Sequence, residues 1–262
     1  MSGMKNTLIF IIFVLSIYLP LVRASIVSKI FVTTCSHIKV ADGSVNSREC
    51  GQNTFRANYY TQNFYNCFEK LNLGFHSLVL NKTENGRSDR VEICQKGDLK
   101  IIINYYKGDK TDESFIEINN GLKDFVHAGM GESEKFVDHV AFFGHNPIIS
   151  DSEYMKKRHK KLLDDINISP RSMNSFPLSI SAFACGSNKI FQKSSLNDYT
   201  GDSTRIMTKY PSTVFPGGKN LIKSYLKVIE NKNENKKDIY HYLKNEWNKD
   251  HYRDHQFELS VQ

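Results

Sequence analysis

Two residues of this chain have the types and the setting for nucleophilic acyl transfer. Cys185 closes the apolar run Leu178-Ser-Ile-Ser-Ala-Phe-Ala184 and is followed by Gly186-Ser187. His145 follows Gly144 at the end of a second apolar run, Val137–Phe143, 40 residues before the cysteine. A thiolate attacks a carbonyl carbon, and an imidazole can take the thiol proton and return it to the leaving amine. Gly144 and Asn146 flank the histidine, and Gly186 follows the cysteine. The competing reading is structural, because an Ala-Cys pair at a strand end also suits a small core residue.

These two side chains need strands to carry them. Each apolar run reads as a buried strand that delivers its reactive residue at the carboxyl end. Neighbouring parallel strands would bring both into the crevice where open α/β sheets bind ligands, and 40 residues leave room for one crossover helix. Around them the pattern predicts strands over 26–34, 75–80, 100–105 and a short one at Val214-Phe215. It predicts helices over 56–72, with Gly74 as the C-cap, and over 113–127, 153–166 and 202–210. One or two further helices follow from Leu221, broken around 231–235. Residues 81–90 read as a loop. The alternation of strands and helices predicts a three-layer α/β/α sandwich with a mostly parallel sheet.

Residues 1–24 have the parts of a secretory signal: Lys5, an apolar core over Leu8–Val22, and Val22-Arg-Ala24 as the cleavage site. The remainder, 25–262, is expected to form one domain with a C-terminal helical tail. Of 35 basic and 28 acidic residues, Lys5 and Arg23 leave with the signal, so the net charge falls from +7 to about +5. This surplus is dispersed. The dense run Lys156–Lys161 falls on an amphipathic helix and reads as a solvated face, so nucleic acid is not an expected partner. Asn81-Lys-Thr83 and Asn167-Ile-Ser169 match the N-glycosylation pattern and would lie on surface loops.

Five cysteines in an oxidising compartment leave one over. If Cys35, Cys50, Cys67 and Cys94 pair, in any of three connectivities, Cys185 remains a thiol. No Cys-x-x-Cys is present, Gly129-Met-Gly131 and Gly217-Gly-Lys219 lack the further glycines of nucleotide loops, and His251 and His255 have no evident third ligand. Neither a metal nor a cofactor is expected.

The ordered set Phe55-Arg56-Ala-Asn-Tyr-Tyr-Thr-Gln62, Lys70-Leu-Asn-Leu-Gly-Phe75, Asn104-Tyr-Tyr-Lys-Gly-Asp109, Val140-Ala-Phe-Phe-Gly-His145 and Ile180-Ser-Ala-Phe-Ala-Cys185 resembles the caspase-like cysteine peptidases. Within them it is similar to the legumain and GPI-anchor transamidase family, over roughly residues 27–220. The resemblance implies a Cys185/His145 dyad, an oxyanion held at the turns of Gly144, Asn146 and Gly186, and a peptide or protein substrate. It also implies Arg56 as a substrate-binding residue, whose plain alternative is an exposed helix-start arginine. The chain departs from the family at Asn146, where the family has glycine after the histidine, and at Ala57, where the early histidine is missing.

Gly144 before the histidine is more like the transamidases than the legumains, which carry aspartate there. The 77 residues after Cys185 leave no room for the long legumain prodomain. The resemblance therefore implies a transamidase-like enzyme of the endoplasmic reticulum lumen, or one that is secreted, with membrane-bound partner subunits. A legumain-like endopeptidase and an inactive secreted relative acting as a binding protein are the alternatives.

Overall fold

The computed structural model describes residues 26–35, 61–82, 90–108, 113–131, 136–144, 146–148, 153, 157, 159–167, 176–198, 203–208, 218–230, 239, 241–243, 245 and 259–261. The strands are β1 (Ile26–Cys35), β2 (His76–Lys82), β3 (Arg90–Lys96), β4 (Leu99–Gly108), β5 (His139–Gly144), β6 (Ser179–Ala184), β7 (Thr204–Thr208) and β8 (Leu259–Val261). They form one sheet in the order β2-β3-β4-β1-β5-β6-β7-β8. β4, β1, β5, β6 and β7 run parallel, while β2 and β3 add an antiparallel meander to β4 and β8 adds an antiparallel edge to β7.

The parallel strands stand in the order second, first, third, fourth, fifth along the chain. That is a doubly wound order, whose topological switch point falls between β1 and β5.

Helices α1 (Glu113–Gly129), α2 (Lys160–Ile166) and α3 (Asn188–Gln192) fall in the connections β4–β5, β5–β6 and β6–β7, and α4 (Lys219–Glu230) follows β7. Period-two alternation divides the strand side chains between two apolar clusters. Phe31, Val140, Phe142, Ile180 and Ala182 pack with Leu122, Phe125 and Val126 of α1, Ile166 of α2 and Ile190 of α3. Their sequence neighbours Ile30, Val32, Ala141, Phe143 and Phe183 pack instead with Leu221, Tyr225 and Ile229 of α4 and with Phe64 and Phe68. The sheet is thus covered by helices on both faces. β5 and β6 are buried along their full lengths, as expected for central parallel strands that read as continuous apolar runs.

The expected strands at 26–34, 75–80, 100–105, 137–143 and 178–184 appear within one to three residues of their bounds, and the helix at 113–127 appears as α1. Four segments differ. Residues 204–208, expected in a helix, form β7: Thr204–Met207 pair with Ser179–Ala182 of β6, and Ile206 and Met207 go to opposite faces of the sheet. Such a division is available to a strand and not to one helical face.

The expected helix over 56–72 is, in its described part, an irregular turn. Asn66, Cys67 and Phe68 all have left-handed backbones, with φ of 51°, 56° and 62°. The expected loop over 81–90 gives way at both ends to strand, with Asn81 of the first sequon inside β2 and Arg90 opening β3. Residues 239, 241–243 and 245 are helical, but the expected helical tail is followed by β8. The signal segment 1–24, Arg56, the short strand at Val214-Phe215 and His251 and His255 lie outside the described residues. Among the described residues no helix is long and apolar enough to cross a membrane.

Candidate active site

β5 and β6 are parallel neighbours, and their register pairs Phe143 with Phe183 and Gly144 with Ala184. These last partners are the residues that precede His145 and Cys185 in the chain. Adjacent strands lie about 4.8 Å apart, so the two strands release their next residues from neighbouring points. That place is the carboxyl edge of the sheet, and β5 is one of the two strands that bound the switch point. His145 itself lies outside the described residues. Cys185 is half-buried and is not in a disulfide.

An aromatic block fixes the height of both strand ends. Phe143 and Phe183 stack with centroids 4.7 Å apart, and Tyr225 of α4 meets each edge-on at 5.7 Å. Phe64 closes on Phe143 from a further direction at 5.0 Å. Each such pair contributes about 0.5–1.5 kcal/mol beyond the area it buries. The two residues just before the strand tips are therefore held as one unit.

Beyond the tips, side chains bond to the turn that carries Cys185. Asn146 is fully buried. Its Nδ2 donates to the Cys185 carbonyl at 3.0 Å and to the Gly186 carbonyl at 3.1 Å, while its Oδ1 accepts the Ile148 N–H at 3.1 Å. Both amide protons and one carbonyl lone pair are in use. Lys193 makes a second tie between the same two segments, donating to the Ile148 carbonyl at 3.2 Å.

On the β7 side, the Thr208 hydroxyl donates to the Ala184 carbonyl and accepts the Ser187 N–H at 3.0 Å. The Ser187 hydroxyl donates to the Ala182 carbonyl and accepts the Thr208 N–H at 2.8 Å. Ser187 thus stands in for a backbone ladder bond where β6 and β7 part, and the Ala182 and Ala184 carbonyls both have donors.

The small residues serve this geometry directly. Gly186 has φ +51°, a left-handed backbone that costs a side-chain-bearing residue about 1–2 kcal/mol. Gly144 lies against β1, with Thr33 Oγ1 1.9 Å from where a Cβ would stand. Of the candidate residues inferred from sequence, the structure brings together Gly144, Asn146, Cys185 and Gly186. It adds Thr208, Ser187 and Lys193, which have no signature in the sequence because their bonds across the fold reach partners 21 to 45 residues away.

Cys67, Glu92 and Cys94 place three potential metal-ligand atoms within 4.8 Å of one another. The two cysteines are bonded to each other as a disulfide. The Glu92 carboxylate accepts the N–H groups of Asn66 at 3.2 Å and Cys67 at 2.9 Å. This group is a structural brace. Cys35, in β1, and Cys50 have no described side chains.

At the opposite, amino edge of the sheet, Asp138 accepts the Val27 N–H at 2.8 Å and His139 bonds Ser179 at 2.8 Å, which ties three strand entries together.

No protein-family model, curated protein or solved structure matches the chain.

Proposed function

We propose that the protein is a thiol acyl-transfer enzyme of the secretory pathway that uses Cys185 and His145. Its functional template in this reading is the catalytic subunit of a GPI-anchor transamidase within the caspase-like cysteine peptidases. The observation that carries this reading is the in-register pairing of Gly144 with Ala184 in parallel strands, because these are the residues that precede His145 and Cys185 in the chain and they stand at the carboxyl edge of a doubly wound sheet, where such sheets bind ligands. A second feature supports it. Cys67 and Cys94 are joined, whereas Cys185 is not in a disulfide and is half-buried at a turn.

In this reading the Cys185 thiolate attacks the carbonyl carbon of a peptide amide. The carbonyl π electrons move to oxygen, and the oxyanion is held at the turns of Gly144, Asn146 and Gly186. The C–N bond then breaks as the His145 imidazolium gives its proton to the leaving amine, leaving a thioester on Cys185. Water or a second amine then attacks that thioester, giving a proton to the neutral His145 imidazole, the C–S bond breaks, and the thiolate and imidazolium are regenerated. Water as acceptor makes the protein a peptidase, and a glycolipid amine makes it a transamidase. The substrate is a peptide or protein, no cofactor takes part, and membrane-bound partner subunits would supply anchoring. Arg56 is proposed to line the substrate pocket.

The test is limiting alkylation of the folded, signal-free protein with iodoacetamide near pH 6, with the modified cysteine mapped by mass spectrometry. Selective labelling of Cys185 that falls at least tenfold in His145→Ala supports the dyad. Labelling no faster than in the denatured protein and indifferent to His145 would return the chain to the third reading, an inactive binding protein on the same fold.

A further inference from the structure

We propose that Asn81 carries an N-linked glycan, and that this glycan covers the outer strand β2 and the apolar strip of sheet beside it. The inference rests on the chain entering the secretory pathway and does not depend on Cys185.

The two outer strands of the sheet, β2 and β8, are unequal. β8 has three residues and offers little to a second chain, whereas β2 has seven and pairs with β3 alone. A long outer strand presents N–H and C=O groups that another strand can take up, and proteins blunt such edges with charge, proline, bulges or a cover. β2 has a bulge between Ser77 and Val79, no proline, and a lysine only at its end. Between these, Leu78 stands 49% exposed.

The strip beside β2 lies clear of both cores. Asn81 pairs with Val91, Val79 pairs with Ile93, and Ile93 pairs with Ile102 of β4. Paired positions and alternate positions share one face of a sheet, so these five positions form one surface. Val91, Ile93 and Ile102 are half-buried and, among the described residues, belong to neither apolar cluster. The row through Asn81 and Val91 continues to Asn104 and Phe31. Only at its inner end does α1 cover it, where Phe125 meets Phe31.

The sequon Asn81-Lys-Thr83 places an acceptor asparagine on this surface at its outermost strand. A bulky hydrated oligosaccharide there blocks the approach of another strand, while the C–H faces of its first sugars rest on Val91 and Ile93. Transfer takes place on the unfolded chain. The asparagine Nδ2 attacks the anomeric carbon of an oligosaccharide carried on a polyprenyl diphosphate. The N–C bond forms, the bond from that carbon to the diphosphate oxygen breaks, one amide proton is lost, and the lipid diphosphate departs. Asn167-Ile-Ser169 is the poorer acceptor, because Pro170 follows it and proline restricts the backbone of the residue before it.

The test expresses the full chain, residues 1–24 included, in a eukaryotic secretory host. Peptide N-glycanase converts each glycan-bearing asparagine to aspartate, and mass spectrometry maps the sites. Conversion is expected at Asn81, and Thr83→Ala should abolish it there. Removing the glycan from the folded wild-type protein should turn a monomer into concentration-dependent assemblies in sedimentation velocity. Leu78→Lys, which charges the exposed edge, should keep the deglycosylated protein monomeric. Because that glycan is removed after folding, this arm holds even where Thr83→Ala fails to fold.

Conversion at Asn167 alone, or at neither site in a mature protein that begins after Ala24, would overturn the inference and leave the secretory reading in place. A deglycosylated wild-type protein that stays monomeric would overturn the covering role. A chain that keeps residues 1–24 and carries no glycan would overturn both the inference and the secretory reading.

Discussion

A methyl group at position 144 would stand 1.9 Å from Thr33 Oγ1 and 2.9 Å from the Thr33 carbonyl oxygen, so the tip of β5 is glycine for a reason of space before any reason of chemistry. The neighbour at fault is partly backbone, and backbone in a buried parallel sheet cannot step aside as a flexible side chain would. Gly144→Ala is expected to lower stability by about 1–3 kcal/mol, the usual range for overpacking, read as a fall in the denaturation midpoint. Thr33→Ala in the same protein removes the nearer contact and leaves the carbonyl one, so it should recover part of the loss. Additive effects in that double-mutant cycle would mean that the two residues do not press on each other. Asn146 shows the limit of reading residues singly. Its type and place after the histidine were visible, but its grip on Cys185 and Gly186 depends on a pairing that only the folded sheet creates.

At the scale of elements, the segment from Phe64 to Leu71 shows how a correct pattern can have a different geometry. Phe64, Cys67, Phe68 and Leu71 are spaced as one face of a helix, and all are buried, yet Asn66–Phe68 turn left-handed. A run of left-handed residues costs about 1–2 kcal/mol at each, so something must offset it. The Cys67–Cys94 bond draws the turn onto β3, and Glu92, fully buried on the same strand, accepts two of the N–H groups that the turn exposes. Glu92→Gln keeps the shape but can place an NH₂ against one of those N–H donors. Its expected cost is about 1–3 kcal/mol, measured by chemical denaturation with the disulfide intact. An unchanged midpoint would show that the turn does not depend on the carboxylate.

The same strand explains why β3 was not legible. Its inward positions are Glu92 and Cys94 while Val91 and Ile93 face the other way, so the alternation of polarity is inverted. β7 was misread for a related reason. Two adjacent apolar residues, Ile206 and Met207, fit a helix as well as a strand until β6 supplies the partner.

Across the whole molecule, the parts that sequence makes plain are β1, β5 and β6, long apolar runs closed by polar or glycine-containing turns, and α1 between them. Together they locate the crevice. What sequence leaves out is the lateral bonding that makes the crevice rigid, because each such bond joins positions far apart in the chain. Tyr225 is the clearest case of a long-range tie. It sits fully buried on α4, meets Phe143 and Phe183 edge-on, and lies 3.4 Å from the Ser28 hydroxyl of β1, so one side chain joins α4 to three parallel strands beneath the candidate site.

Burial pushes the Tyr225 phenol well above its ordinary value of 10.0, with the Ser28 hydroxyl working weakly against that shift. The folded state therefore holds this proton where the unfolded chain releases it. The contribution is fully present below pH 10 and is lost as pH rises from there towards the raised folded value. Wild-type stability should fall with pH above about 10 more steeply than that of Tyr225→Phe, which keeps the ring contacts and has no phenol to ionise. The difference between the two slopes, taken from denaturation midpoints between about pH 9 and 11.5, isolates this residue from the other tyrosines and the lysines, which titrate alike in both proteins. Parallel curves would mean that water reaches the Tyr225 hydroxyl, and hence that α4 is looser against the sheet under the Cys185 turn than its packing indicates.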